Sequence, residues 1–163
     1  FESNQAYFQR ILNVPTDADV VTIMASGNDL STTWNTFGLG NVADTGTDTI
    51  CGCINATIDN LYSVIPTVQL GIITPTPWDA FYPSATEEPQ NRMTLYSNAI
   101  VEICKRRGIP CLDLYHCSGL RPWESSFKAL AYTKDDGGGT HPDETGHAII
   151  APRIKAFLES LIL

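Results

Sequence analysis

The sequence predicts an α/β fold, a three-layer α/β/α sandwich around a parallel sheet. Three observations predict it. Three short runs are rich in Val, Ile and Leu: "DVVTIMA" (19–25), "VQLGIIT" (68–74) and "PCLDLY" (110–115). Helical periodicity fills the stretches between and after them. The 163 residues are enough for one domain with a real core. The runs show little alternation, as expected of strands covered on both faces. Strands that alternate with helices imply right-handed crossovers within one parallel sheet.

Taken in order, residues 4–13 read as a helix leading into the first strand, 19–25. Residues 52–64 read as a second helix, followed by strand 68–74. A long loop, "PTPWDAFYPSATEE", then occupies 75–88. In 89–107, Met93, Tyr96, Ile100, Ile103 and Cys104 recur at helical steps, and Gly108 and Pro110 stop that helix. The third strand, 110–115, runs into a second long loop at 116–140. At the C-terminus Ile150, Ile154, Phe157, Leu158 and Leu161 form one apolar stripe. Pro152 lies inside it and predicts a kink or a late helix start. There are no internal repeats, and nothing suggests a second domain.

Composition narrows the function classes. Hydrophobic residues make up 43% and charged residues 17%, an ordinary globular profile. The net charge of −8 argues against nucleic acid and other polyanions as partners. No run approaches the roughly 18 apolar residues of a membrane span. The chain opens "FESNQ", without Met or a signal pattern, so residues upstream are expected and the compartment is not legible. Five cysteines make an odd count. Cys51 and Cys53 are too close for an easy bridge, whereas Cys104 with Cys111, or Cys111 with Cys117, could pair if geometry allowed. Free buried thiols are the alternative. "NAT" at 55–57 is a glycosylation sequon that matters only in a eukaryotic secretory pathway. No cofactor signature is present. His116 and His147 lack partners at metal-ligand spacing and read as structural.

The candidate chemistry sits where strands end. In open α/β sheets, ligands bind beyond the carboxyl ends of the strands. Both long loops and "SGNDL" at 26–30 lie there, so three segments converge on one rim. Asn28 could donate an amide hydrogen bond to a developing oxyanion, with Asp29 holding the loop. The plain alternative is turn chemistry. Near the end, "DDGGGTHPDETGH" (135–147) places His141 before a Pro and before the last helix. Its imidazole can take a proton from a hydroxyl near neutral pH. The plain alternative there is a helix start capped by Asp143 or Thr145. Trp78, Phe81, Tyr82, Trp123 and Phe127, in the two loops, could line a pocket or pin the loops to the core.

A strand-end "GND" early in the chain and an "HP" before the final helix resemble the SGNH, or GDSL-type, serine esterase and lipase family. The likeness runs from about residue 4 to the end and implies a flavodoxin-like sandwich. It implies that Asn28 serves the oxyanion hole and that His141 is the catalytic base. Three departures stand out. Ser26 replaces the first Gly of the family's Gly-x-Asn-Asp segment. Gly138 occupies the position three before His141 where the family carries its acid. Asp136 is the first candidate for that acid, Asp135 the second, and a ring oriented by a backbone carbonyl the third. Finally, no Gly-Asp-Ser occurs anywhere, and Ser3 is the only serine before Asn28 besides Ser26. The chain therefore reads as the C-terminal two-thirds of a single such domain. The nucleophilic serine is expected outside it, on an N-terminal fragment that would cover the 19–25 edge. The resemblance implies hydrolysis of acyl or acetyl esters, on carbohydrate among other carriers, with no cofactor and no metal. The competing reading is a non-catalytic binding or structural module, on a phage tail or cell surface, that keeps the fold without the triad.

Overall fold

The computed structural model describes residues 6–30, 36–81, 91–133 and 138–162. Strands β1 (Val20–Met24), β2 (Gln69–Ile73) and β3 (Cys111–Leu112) form a parallel sheet in the order β1-β2-β3. In register, Thr22 lies opposite Gly71, and Ile72 opposite Cys111. The helices are α1 (Tyr7–Arg10), α2 (Ile50–Val64), α3 (Arg92–Arg107), α4 (Leu114–Cys117), α5 (Ser125–Ala131) and α6 (Glu144–Ile162). They pack on both faces, so the predicted α/β/α sandwich with a parallel sheet is the fold observed.

Central β2 explains the layering. Leu70 and Ile72 point into a core built by α2 and α3 with Ile58, Leu61, Met93, Ile100 and Ile103. Ile73 points the other way, into a second core with Phe127, Ile150, Phe157 and Leu161 from α5 and α6. Gly71 shares that second face. A Cβ there would stand 2.5 Å from Leu161 Cδ1 and 2.8 Å from Phe157 Cζ, so the missing side chain lets α6 lie against the sheet.

The predicted strands 19–25 and 68–74 and the predicted helix 52–64 lie within two residues of the observed elements, and the larger differences have local causes. Helix α2 begins at Ile50 rather than 52, because Thr49 caps it by accepting the Gly52 N–H at 3.0 Å. The third strand stops at Leu112, three residues before its predicted end at 115. Asp113 turns the chain there and caps α4 by accepting the His116 N–H at 3.1 Å. The segment 4–13 is one α-helical turn plus a 3₁₀ turn, Ile11–Asn13, over its described part. The loop predicted over 116–140 contains α5, whose Phe127 and Ala131 are buried. Phe127 therefore pins that segment to the core.

Of the kink or late helix start expected from Pro152, the late start does not occur: α6 runs from Glu144 through Pro152 to Ile162. Pro152 removes only the N–H that would reach the Ala148 carbonyl. Both residues are exposed, which leaves that carbonyl to water. The expectation of strands covered on both faces fails for β1. Val21 and Ile23 pack on the α2–α3 core, but Thr22 is exposed and Met24 is 49% exposed on the opposite face. All five cysteines are free, so neither Cys104–Cys111 nor Cys111–Cys117 is bridged. Among the described residues, no helix is long and apolar enough to cross a membrane.

Gly71→Val should lower stability by about 1–3 kcal/mol through overpacking against Leu161 and Phe157. Urea unfolding measures this, and adding Leu161→Ala should recover part of the loss. An unchanged midpoint in the single variant would show that α6 does not rest on Gly71.

Candidate active site

The chain leaves β1 through Ala25 into a 3₁₀ turn, Gly27–Leu30, that carries Asn28. Three anchors hold this turn. The Leu30 side chain is fully buried in the α2–α3 core. The Leu30 carbonyl accepts from Arg92 Nη1 at 3.1 Å. The Asp29 carboxylate accepts from the Tyr96 hydroxyl at 2.8 Å. Arg92 and Tyr96 lie one turn apart on α3, so that helix fixes the turn twice. Burial pushes the Asp29 carboxyl above its ordinary range, and the Tyr96 hydroxyl pulls it partly back. Asn28 itself is exposed, and its backbone N–H donates to Ser26 Oγ at 3.1 Å. Ser26, the departure from glycine, thus has a local role in shaping the turn.

His141 is also exposed and sits in the bend just before α6. The residues after it are tied down by Asp143. The Asp143 carboxylate accepts the Thr145 and Gly146 N–H groups at 2.8 and 3.3 Å and so caps α6. The same carboxylate accepts the Thr133 N–H at 3.0 Å and the Thr133 hydroxyl, which joins the end of α5 to the start of α6. The Asp143 N–H donates to the Ala131 carbonyl at 2.8 Å. The Thr133 hydroxyl, followed by the backbone N–H donors, pulls the Asp143 carboxyl down to about 2. Upstream of His141, the Gly139 carbonyl accepts the Asp79 N–H at 3.1 Å.

Trp78 lies between the two segments. A Cβ on Gly27 would fall 2.5 Å from its six-membered ring, so the indole rests directly on the Asn28 turn. Its ring centre is 6.3 Å from that of His141, with the planes tilted by 55°. The structure thus brings the turn that carries Asn28, through Gly27, and His141 to one indole. Asp136 and Asp135 lie outside the described residues, as does Tyr82; of Phe81 only the backbone is described.

A mostly apolar groove of about 630 Å³ begins at this site. Ser26, Asn28 and Asp29 form one end, and Ile23, Met24 and Ala25 of β1 form a wall. Among the described residues, the sheet has no strand beyond β1. Nor do the described residues gather three or more His, Cys, Asp or Glu groups that could hold a metal.

An acid–imidazole pair that the sequence reading did not identify occurs on the same rim. Asp113 Oδ2 lies 2.7 Å from His116 Nδ1, and Asp113 Oδ1 accepts from the Thr74 hydroxyl at 3.2 Å. The spacing Asp113-Leu-Tyr-His116 was a legible signal. In the fold this pair caps α4 and ties it to the end of β2.

The sequence profile of the GDSL-like lipase/acylhydrolase family matches residues 3–149. The chain belongs to this family. It is a family of ester hydrolases, and the fold agrees with its solved members. A Lactobacillus plantarum protein is 25% identical, aligned over 94% of this chain and 72% of its own, with a TM-score of 0.76. A possible lipase from Chitinophaga pinensis is 18% identical over 96% of this chain and 80% of its own, with a TM-score of 0.70. A candidate GDSL-like lipase from Bacteroides ovatus is 18% identical over 94% of this chain and 59% of its own, with a TM-score of 0.56. Comparison with curated proteins finds no match.

The carboxylates of the site make two stability predictions. The Asp143 carboxyl is lowered from 3.8 to about 2, so the ionised form favours the folded state. Its contribution is complete above about pH 4 and disappears as the pH falls toward 2. Asp143→Asn should therefore lower the melting temperature at pH 7 and converge on the wild type near pH 2. Parallel melting curves at the two pH values would expose a role independent of charge. Tyr96→Phe removes the donor to partly buried Asp29 and should cost about 1–3 kcal/mol by urea unfolding.

Proposed function

We propose that this chain forms the base and oxyanion side of a serine ester hydrolase. The carrying observation is the convergence of the Gly27–Asn28 turn and His141 on the Trp78 indole. In this reading a serine hydroxyl attacks the ester carbonyl while His141 takes its proton. The Asn28 side-chain amide donates to the oxyanion that forms. His141 then returns the proton to the leaving alcohol, and a water activated by the same ring releases the acyl group. Asp136 is the group proposed to orient His141; the glycines at 137–139 give the chain room to fold it back.

The serine is proposed to lie outside these 163 residues, on an N-terminal segment of the same domain. Two features support this. The chain contains no Gly-Asp-Ser, and among the described residues β1 has no strand on its outer edge, which lies beside a groove that ends at Asn28. An added strand would cover that edge and place its carboxyl end at the same rim. The proposed substrates are short acyl esters, such as acetyl groups on a carbohydrate. The displaced acid and absent serine motif equally suit a binding module that retains the fold without catalysis.

A fluorophosphonate probe tests the reading. Full-length protein should be labelled, and His141→Ala should reduce labelling by about 10³-fold or more. No labelling of the intact protein would sink the serine mechanism and favour the binding module. The 163-residue chain should co-purify with its N-terminal segment when the two are produced together, and self-associate through β1 when produced alone. Native mass spectrometry that finds a lone soluble monomer would argue against the open edge.

A further inference from the structure

We propose that Trp78, Asp79 and Lys128 form a positioning device that sets where His141 stands relative to the Asn28 turn. The proposal rests on the roles given to His141 and Asn28 above, but its geometry does not depend on them. The device begins at the end of β2, where Pro75 and Pro77 are fully buried and hold the backbone in a narrow range of φ. The next two residues face in different directions. Trp78 lays its ring on Gly27 and reaches the ring of His141. Asp79 meets the glycine run upstream of His141.

Asp79 uses both of its polar groups. Its backbone N–H donates to the Gly139 carbonyl at 3.1 Å, two residues before His141. Its carboxylate pairs with Lys128 of α5, and both side chains are about two-thirds or more buried, with exposures of 31% and 27%. The Lys128 stem then lies along the same glycine. A Cβ at Gly139 would stand 2.8 Å from Asp79 Cβ, 3.0 Å from Lys128 Cδ and 3.3 Å from Pro122 Cβ. Gly139 also has φ +65°, a left-handed conformation that disfavours any side chain. Only glycine fits this seat.

The stretched "DDGGGTHP" segment therefore contains a docking point and is not merely slack. The Asp79 carboxylate pairs with Lys128 through Oδ2. Asp79 and Lys128 are positioning residues that act through Gly139. Trp78 links their position to the Asn28 turn.

Lys128→Met removes the ion pair but keeps the length of the stem along Gly139. In full-length protein, the ring ¹H–¹³C NMR signals of His116, His141 and His147, assigned through single His→Ala variants, read the outcome directly. Lys128→Met should move the His141 signals and leave those of His116 and His147 in place. Lys128→Arg, which can re-form the pair, should restore them. Trp78→Phe provides a second, independent displacement of His141 should Lys128→Met fail to fold. In full-length protein, Lys128→Met should slow fluorophosphonate labelling about ten- to a hundredfold without weakening probe binding, as a small misplacement of a base does. Unchanged His141 signals in the folded variants would overturn the proposal. If the wild type is not labelled at all, the esterase reading fails, and the His141 spectra still decide the positioning claim.

Discussion

The structure depends first on burying both faces of β2. Its residues alternate between two cores, Leu70 and Ile72 toward α2 and α3, Ile73 toward α5 and α6. A fully buried strand leaves no backbone polar group to water, so both of its edges must be paired. β1 and β3 supply that pairing along parallel ladders. Gly71 removes the one side chain that would hold α6 away. With β2 fixed in this way, the carboxyl ends of the strands share one rim, and the Asn28 turn and the Trp78 loop must both emerge there.

The rim is then organised by short polar ties rather than by burial. Asn28 and His141 are both exposed, so neither is positioned by packing of its own side chain. Their neighbours hold them instead. Leu30, Asp29 and the two α3 residues Arg92 and Tyr96 fasten one turn. Asp143, Thr133 and Ala131 fasten the other from below, and Asp79 fastens it from above. Reactive groups placed on a rigid frame need not reorganise during a reaction, and that preorganisation underlies electrostatic catalysis. The edge of β1 is the counterexample within the same fold. Thr22 and Met24 are exposed on the face opposite the α2–α3 core, and a groove lined by β1, α1 and α2 opens at this edge.

Element existence was legible because burial imposes a period on sequence. The stripe Met93, Tyr96, Ile100, Ile103 marks α3, and the branched aliphatics of 68–74 mark β2. Errors arose where one side chain redirected the backbone. Asp113 ended β3 early by capping α4, and Ser125–Ala131 formed a helix within a stretch full of turn residues. Pro152 broke nothing, because it falls on the solvent side of α6. For the site, the residue types in "SGND" and "THPD" were informative, since an amide and an imidazole at strand and helix ends suit acyl-transfer chemistry. Their partners were not legible. Asp143 was open to reading as a helix cap, but its hold on Thr133 was invisible, as was the meeting of Asp79, Lys128 and Gly139.

The sequence by itself determined the layered α/β class, the order of strands and helices along the chain, the likeness to an esterase family, and the two residues that carry that likeness. These are local properties: period, turn chemistry and short motifs repeat wherever the same physics applies. Only the tertiary structure decided that β1 is the outermost strand among the described residues, that His141 and the Asn28 turn share one indole, and that Gly139 docks on Asp79. Those facts join residues separated by tens to more than a hundred positions in the chain. No local preference encodes such contacts; they follow from how two cores close around one strand.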